Sequence, residues 1–590
     1  MSAGTESDRE RQMREAEELL GAETRRSFAK ELFFGRFDAS ALPYPVPSAE
    51  ERSQQEEYLA RVREFLAREV DPDRIDRDAC IPDPVIRGLG DLGVLSMSIP
   101  REYGGLGLSQ QAYCRVMEKI GAVDASLAVF VNAHQSIGLK GLLLFGTPEQ
   151  KAEWLPRLAR GELLAAFALT EPNAGSDAGG IETRAVLNEA GTHYVLNGRK
   201  QWITNGAIAG LLTVMAKVPG ARDEKGRERV TAFLVTPDMP GFEVEVAALE
   251  KCGIRGTVTS KLAFHCMEVP VANVLGEPGR GLRVALTLLD YGRTTFGATC
   301  TGVAKRCVRE ALEHARTRVQ FGKPLGEFEL VKRKLARMGA MAYAMEAATY
   351  FTAGLIDRGA EEYMVETAML KVYASEALWE IINETIQIFG GRAYFTDRPY
   401  ERMMRDARIN LIGEGANDVL RTFVGLVGMR DVGLALKDVL DALRSPLEGF
   451  GKLTGFARRH LPGQDHVRVP LRSAEIDDLG HLLEEQVRTF GRAVEGQLMR
   501  HREGILELQY VQARIADAAT ELYLMSAVVA RLDSALQEPD TEPGRVEEEV
   551  RLGRYFCHLA ARRIRDCLHE LGDNLDAETT EVADMLLAEG

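Results

Sequence analysis

Ala168-Leu169-Thr170-Glu171-Pro172-Asn173-Ala174-Gly175-Ser176-Asp177-Ala178-Gly179-Gly180 stands where the sequence changes its period. Upstream, from about residue 50 to 165, apolar residues recur at helical spacing, with Tyr58, Val62, Phe65 and Leu66 as one stripe. Downstream lie short segments rich in β-branched residues, among them Leu211 to Val218, Arg229 to Thr236 and Phe242 to Leu249. Gly, Pro, Asn and Asp divide them, which marks strands joined by turns. Helical spacing returns from about 277, in long segments such as Arg283 to Arg318 and Glu361 to Phe389. A further helical block follows after about 440.

This order predicts an α+β chain in successive units. Residues 1–50 form a polar N-terminal extension that ends in the stiff run Ala-Leu-Pro-Tyr-Pro-Val-Pro. Residues 51–165 form a helical domain, 166–276 a β-barrel-like domain and 277–430 a second helical domain. Residues 431–470 read as a linker, and 471–590 as an additional helical domain.

Composition narrows the function. With 590 residues, 45% of them hydrophobic, the chain has ample core material for several folding units. A formal net charge of -15 argues against nucleic-acid binding, which concentrates Lys and Arg against phosphate. The eight cysteines form no C-x-x-C pair and read as buried free thiols of a reducing compartment. No H-E-x-x-H occurs, so no metal site is expected. The first residues lack the apolar stretch of a secretory signal, and no run of about 18 apolar residues is apparent. The expected location is the cytoplasm, with peripheral contact at the inner face of the membrane as a variant.

The opening stretch carries chemistry only in company. Its small residues and hydroxyls let backbone N–H groups approach a flavin or pyrophosphate, but alone such a loop is more often a turn. A second segment runs Gln387-Ile-Phe-Gly390-Gly391-Arg-Ala393-Tyr394-Phe-Thr-Asp397 and closes in Arg402-Met-Met-Arg405-Asp406. A third follows as Glu414-Gly415-Ala416-Asn417-Asp418-Val419-Leu420-Arg421.

In this order and spacing the three segments resemble the acyl-CoA dehydrogenase family from about residue 60 to 430. The likeness is greatest to its very-long-chain subgroup and the complex-I-assembly paralogue of that subgroup. Those share the run Ala133-His134-Gln135-Ser136-Ile137-Gly138 and extra C-terminal helices. The resemblance implies an N-terminal helical domain, a central β domain and a C-terminal four-helix bundle, plus the additional helical domain. It also implies FAD held between the β domain and the second helical domain.

By that resemblance Phe167, Leu169, Thr170, Gly175 and Ser176 contact the cofactor, with Trp202, Ile203 and Thr204 flanking the flavin. Arg318, Gln320 and Phe321 would reach the FAD of a neighbouring subunit, as would Gln387, Gly390 and Gly391. Ala416 and Asp418 complete the cofactor set; Ser176, Asp290, Arg293 and Gly415 would serve the substrate. Glu414 would be the catalytic base, removing the α-proton of a fatty acyl-CoA while the flavin accepts the β-hydride. A desolvated carboxylate has the raised pKa this step needs. Relatives that place the base on a helix do so at the position of Gly292, so no second base competes with Glu414.

Three positions depart from the family pattern: Ala393 for Gly, Ala416 for Thr or Ser, and Phe167 for Tyr. An assembly scaffold and an acyl-CoA oxidase remain the alternatives, and electron-transferring flavoprotein is the expected acceptor. The small Ala128 favours a long acyl chain, against an Asn132 of intermediate size. Leu443 to Leu461, with Leu447, Phe450, Leu453 and Phe456 among basic residues, suits contact with anionic lipid. Two later stripes, Leu479–Leu482–Val487–Phe490–Val494–Leu498 and Ile515–Leu522–Met525–Val529–Leu532, should pack on the catalytic core and leave a homodimer.

Overall fold

The structure is a computed structural model that describes residues 27–222, 228–444, 467–538 and 543–588. Most of the Leu443 to Leu461 segment predicted to touch lipid lies outside the described residues.

The first surprise is at the start. Residues expected to form only a polar extension include a short helix, α1 (Phe28–Phe33), whose Ser27 cap accepts from the Lys30 N–H. Phe28, Ala29, Leu32 and Phe33 are buried, so the segment is core and not a surface arm. Phe28 packs edge-on to Phe351 with centroids 5.4 Å apart, and Phe33 to Phe490 at 5.2 Å. A six-residue amphipathic turn is too short to stand out by periodicity in a polar stretch.

Helices α2 (Ala49–Glu69), α3 (Pro72–Asp78), α4 (Asp83–Asp91), α5 (Gln110–Val123), α6 (Ala125–Asn132), α7 (Lys140–Phe145) and α8 (Pro148–Ala159) follow. Capping boxes start α2 at Ser48/Glu51 and α8 at Thr147/Gln150, and Pro148 occupies the first turn of α8. Ala133–Gly138 forms a π turn between α6 and α7. In it His134 accepts the Ala165 N–H at its Nδ1, so its Nε2 carries the proton given to the Leu95 carbonyl at 2.9 Å. Burial pushes His134 down to about 4, which keeps the ring neutral and the strut intact. From Ala125 to Phe145 the chain is long and apolar enough to cross a membrane, with mean hydropathy 1.3, contrary to the expectation that no such run exists. It is a core segment: 72% of that window is buried within the protein.

The β domain is one sheet of eight strands: β1 (Ala165–Ala168), β2 (Arg184–Leu187), β3 (His193–Thr204), β4 (Leu211–Arg222), β5 (Glu228–Val235), β6 (Phe242–Val246), β7 (Thr259–Pro270) and β8 (Val274–Leu275). Their order is β6-β7-β3-β2-β4-β5-β8, with β1 parallel to β4 through Ala165↔Leu211. The path runs open from β6 to β8. Leu212, Val214 and Ala216 of β4 fill one side of the sheet, with Leu196 and Phe264 of neighbouring strands.

Long helices α9 (Gly281–Thr317), α10 (Glu329–Asp357), α11 (Met364–Phe389), α12 (Tyr400–Arg408) and α13 (Asn417–Arg444) form the second helical domain. The additional helices are α14 (Asp477–His501), α15 (Gln509–Ala535), α16 (Pro543–His569) and α17 (Asp576–Ala588). Ile515, Leu522, Met525, Val529 and Leu532 are all fully buried in one apolar core shared by α9, α10, α11 and α1. In the other predicted stripe, Leu479, Val487, Phe490 and Val494 are fully buried, whereas Leu482 and Leu498 are half-buried. Leu483 takes the inner place beside Leu482, because the inward face of α14 passes between adjacent residues. The hydroxyls of Thr352 on α10 and Tyr523 on α15 meet at 2.7 Å inside this core. The additional domain is therefore welded to the bundle.

Candidate active site

Residues 412 to 416 link a short 3-10 turn (Ile409–Leu411) to α13. Glu414 sits there at φ 57° and Gly415 at φ 99°. Left-handed backbone is costly for a glutamate, and neighbouring side chains hold it in place. Arg293 Nε donates to the Glu414 carbonyl at 3.3 Å, and Lys371 Nζ donates to the Gly415 carbonyl at 2.7 Å and to Asn417 Oδ1 at 2.8 Å.

Each clamp is itself braced. Asp290 Oδ1 accepts from Arg293 Nη1 at 3.1 Å and from Thr367 Oγ1 at 3.0 Å. Asn417 Nδ2 donates to Ser375 and to Glu376, both at 3.0 Å. Arg421 grips Glu376 with both Nη atoms at 2.8 Å and reaches Asp517 of α15 through Nε at 2.7 Å. The additional domain thus touches the polar frame of the Glu414 turn.

The Glu414 carboxylate is turned inward. Oε1 accepts from Asn132 Nδ2 at 3.1 Å, while Oε2 is buried with no hydrogen-bond partner among the described residues. Burial pushes its pKa up, opposed by the charges of Lys371 and Arg293 and by the Asn132 hydrogen bond. Burial likewise presses Lys371 down to about 8 and lifts Asp290 to about 6.

Glu414 lines a cavity of about 870 Å³, near the upper end of the size of a single-ligand pocket. Phe167, Leu169, Thr170, Gly175, Ser176, Trp202, Ile203 and Thr204 line it from the β domain, and Asp290, Arg293, Gly415 and Ala416 from the helical side. Asn132, Ala128, Thr299 and Val303 extend the wall into the helices. A flavin fits this lining. Trp202 is 58% exposed at φ 60°, a large apolar face wanting cover, and a Cβ on Gly175 would meet nothing within 4 Å.

The remaining predicted residues lie elsewhere. Arg318, Gln320, Gln387, Gly390, Gly391 and Asp418 are exposed and do not line the cavity. Phe321, in the turn of the small hairpin Val319–Gln320/Lys323–Pro324, is 95% exposed. Sequence reasoning missed Lys371, Thr295 and Thr367 altogether, and weighed Asn132 only for its size. A lysine inside the apolar run Met369-Leu370-Lys371-Val372 was the available signal, since Lys is seldom fully buried unless paired.

Family models for the acyl-CoA dehydrogenase N-terminal, middle and C-terminal domains match residues 52–162, 166–267 and 279–427. That is more than half of the chain. The chain belongs to the acyl-CoA dehydrogenase family. Residues 474–588 match the ACAD9/ACADV C-terminal domain. The very long-chain specific acyl-CoA dehydrogenase of Rattus norvegicus is 37% identical over 558 residues, 93% of this chain and 85% of that protein. A probable acyl-CoA dehydrogenase of Mycobacterium bovis is 36% identical over 95% of this chain and 88% of its own length. An acyl-CoA dehydrogenase from Bacillus anthracis, solved in complex with FAD, superposes with a TM-score of 0.77 at 30% identity, covering 94% of both chains. Butyryl-CoA dehydrogenase from Megasphaera elsdenii matches 65% of this chain and 98% of its own, with a TM-score of 0.60 at 34% identity. The protein is thus an oxidoreductase acting on acyl-CoA, in a family that works with FAD.

Proposed function

We propose that this acyl-CoA dehydrogenase desaturates long-chain fatty acyl-CoA at Cα–Cβ with Glu414 as the base. The observation that carries this reading is Glu414, which lines a largely apolar cavity and whose Oε2 is buried with no hydrogen-bond partner among the described residues. Burial raises the carboxylate toward the acidity of an activated α-proton, and the charges of Lys371 and Arg293 oppose that rise. Arg293, fixed by Asp290, holds the Glu414 carbonyl and thereby aims the carboxylate. Phe167, Leu169, Thr170, Gly175, Ser176, Trp202, Ile203, Thr204 and Ala416 are the residues that would hold FAD. Bound there, FAD supplies the hydride acceptor. The backbone N–H of Glu414 bonds to no group among the described residues and is free to polarise the thioester carbonyl.

Small Ala128 in the cavity wall, with Thr299 and Val303 beyond it, favours a long acyl chain. A homodimer, in which exposed Arg318, Gln320, Phe321, Gln387, Gly390 and Gly391 serve the neighbouring FAD, and electron-transferring flavoprotein as acceptor complete the proposal. The decisive experiment is anaerobic mixing with palmitoyl-CoA. Wild type should bleach its flavin, and Glu414→Gln should retain flavin yet lose reduction by a factor of about 10² to 10⁴. Near-normal reduction in the variant would place the base elsewhere. Comparing reoxidation by oxygen and by electron-transferring flavoprotein tests the acceptor.

A further inference from the structure

Behind the base a row of hydroxyls runs into the protein and ends on a single amide. Tyr113 of α5 and Ser136 of the π turn meet at 2.9 Å, and Ser136 meets Thr295 of α9 at 3.0 Å. Thr295 Oγ1 donates to Asn132 Oδ1, and Asn132 Nδ2 donates to Glu414 Oε1 at 3.1 Å. All four residues leading to Glu414 are buried, with Thr295 fully so.

Proton counting gives the row a direction. A hydroxyl has one proton to give. That of Thr295 goes to Asn132 Oδ1, shared with the Gly292 and Tyr291 carbonyls at 3.0 and 3.3 Å, so Ser136 donates to Thr295 and Tyr113 donates to Ser136. Each donor leaves the next oxygen free to donate forward. At the end the Asn132 amide is locked with its carbonyl toward Thr295 and its N–H₂ toward Glu414. An unlocked amide could present its oxygen to the carboxylate, a repulsive contact.

We propose that Asn132 is a positioning residue for the base, its amide orientation set by Thr295, so that it steers Oε1 and stabilises the ionised form of Glu414. This rests on Glu414 being the base. The reach of Asn132 suits one oxygen only: Oε1 is occupied and Oε2 is left to take the proton. Asn132 therefore holds the base as well as shaping the pocket. The titratable groups that act on the carboxylate from the packed elements are Tyr113 on α5, Arg293 and Cys300 on α9, and Lys371 on α11. None of them binds Oε1, so Asn132 supplies a contact they cannot replace.

The test is the pH profile of anaerobic flavin reduction by palmitoyl-CoA in the holoenzyme, with Glu414→Gln measured alongside. Asn132→Leu keeps the volume and removes the donor, so the acid limb should move up by about one pH unit. Thr295→Val should move it the same way by freeing the amide, and Thr295→Ser should restore it. Flavin content and circular dichroism identify any variant that fails to fold; Thr295→Val carries the test if Asn132→Leu does. An unmoved limb in folded Asn132→Leu or Thr295→Val overturns the proposal and leaves Glu414 as base. Undiminished reduction in Glu414→Gln would instead overturn the reading beneath it.

Discussion

Gly292 and Glu414 share one space: a Cβ built on Gly292 would stand 3.0 Å from Glu414 Oε2 and 3.1 Å from Ile137 Cγ2. Gly292 lies inside α9, where Ala would ordinarily favour the helix by about 1 kcal/mol. The glycine is thus kept for the carboxylate and not for the backbone. Gly292→Ala should leave fold and flavin content intact and slow reduction by acyl-CoA about 10- to 100-fold, because the methyl displaces the base. Stopped-flow bleaching at wild-type speed would mean that Oε2 does not work from this position.

Lys371 invites the complementary experiment. Its ammonium is the donor that the Gly415 carbonyl and Asn417 Oδ1 share. Lys371→Met keeps most of the stem but strands the Gly415 carbonyl and leaves Asn417 Oδ1 only the Ser375 hydroxyl at 3.4 Å, at a cost of about 1–3 kcal/mol. The thermal midpoint should fall and reduction should slow, since the turn that carries Glu414 loses a clamp and the base loses a nearby positive charge. A variant as stable and as fast as wild type would show the clamp to be idle.

Glu366 gives the N-terminal helix a pH signature. The Ala29 N–H donates to its Oε1 at 2.9 Å, while Oε2 is unpaired among the described residues. Burial is the main cause that raises Glu366 to about 7, and nearby Glu362 adds to it; Lys30 is committed to Glu362 and Asp431. The folded chain therefore holds a proton between about 4.5 and 7 that the unfolded chain releases. Stability from this group is full below that window and is lost as pH rises through it. Glu366→Gln removes the loss, so it should stabilise at pH 8 by about 2–3 kcal/mol and change little at pH 4.5. Equal effects in thermal melts at both pH values would show that Glu366 does not titrate in this range.

The layout of helices, strands and helices was legible because period 3.6 and period 2 differ over long stretches, as between α5 and β4. Glu414 was legible because its turn matches a contiguous motif of the family, not because a Glu in a Gly-rich turn is distinctive by itself. Asn132, Thr295 and Lys371 were not, since they come from α6, α9 and α11 and meet only on folding. Helix α1 escaped for another reason: its apolar residues lie in one short turn, and what makes them core is Phe351, Phe490 and Tyr523, far away in sequence. Local pattern reports local periodicity; long-range partners leave no trace in it.

Phe321 argues for a second copy of the chain. It is 95% exposed at φ 51°, and Tyr394 and Phe395 beside the Gly390–Ala393 turn are 78% and 66% exposed. Solvated aromatics of this size cost solubility unless an interface covers them. The α15 side of the bundle is already buried by the additional helices, which leaves the Phe321 and Tyr394 surfaces for assembly. Light scattering of the 65.1 kDa chain should give the mass of a homodimer. Phe321→Asp with Phe395→Asp should shift the mass toward monomer and lower flavin content together, because by this proposal the same surface serves the neighbouring FAD. A wild-type tetramer would overturn the homodimer. A doubly substituted chain that stays dimeric with full flavin would move the interface away from these aromatics.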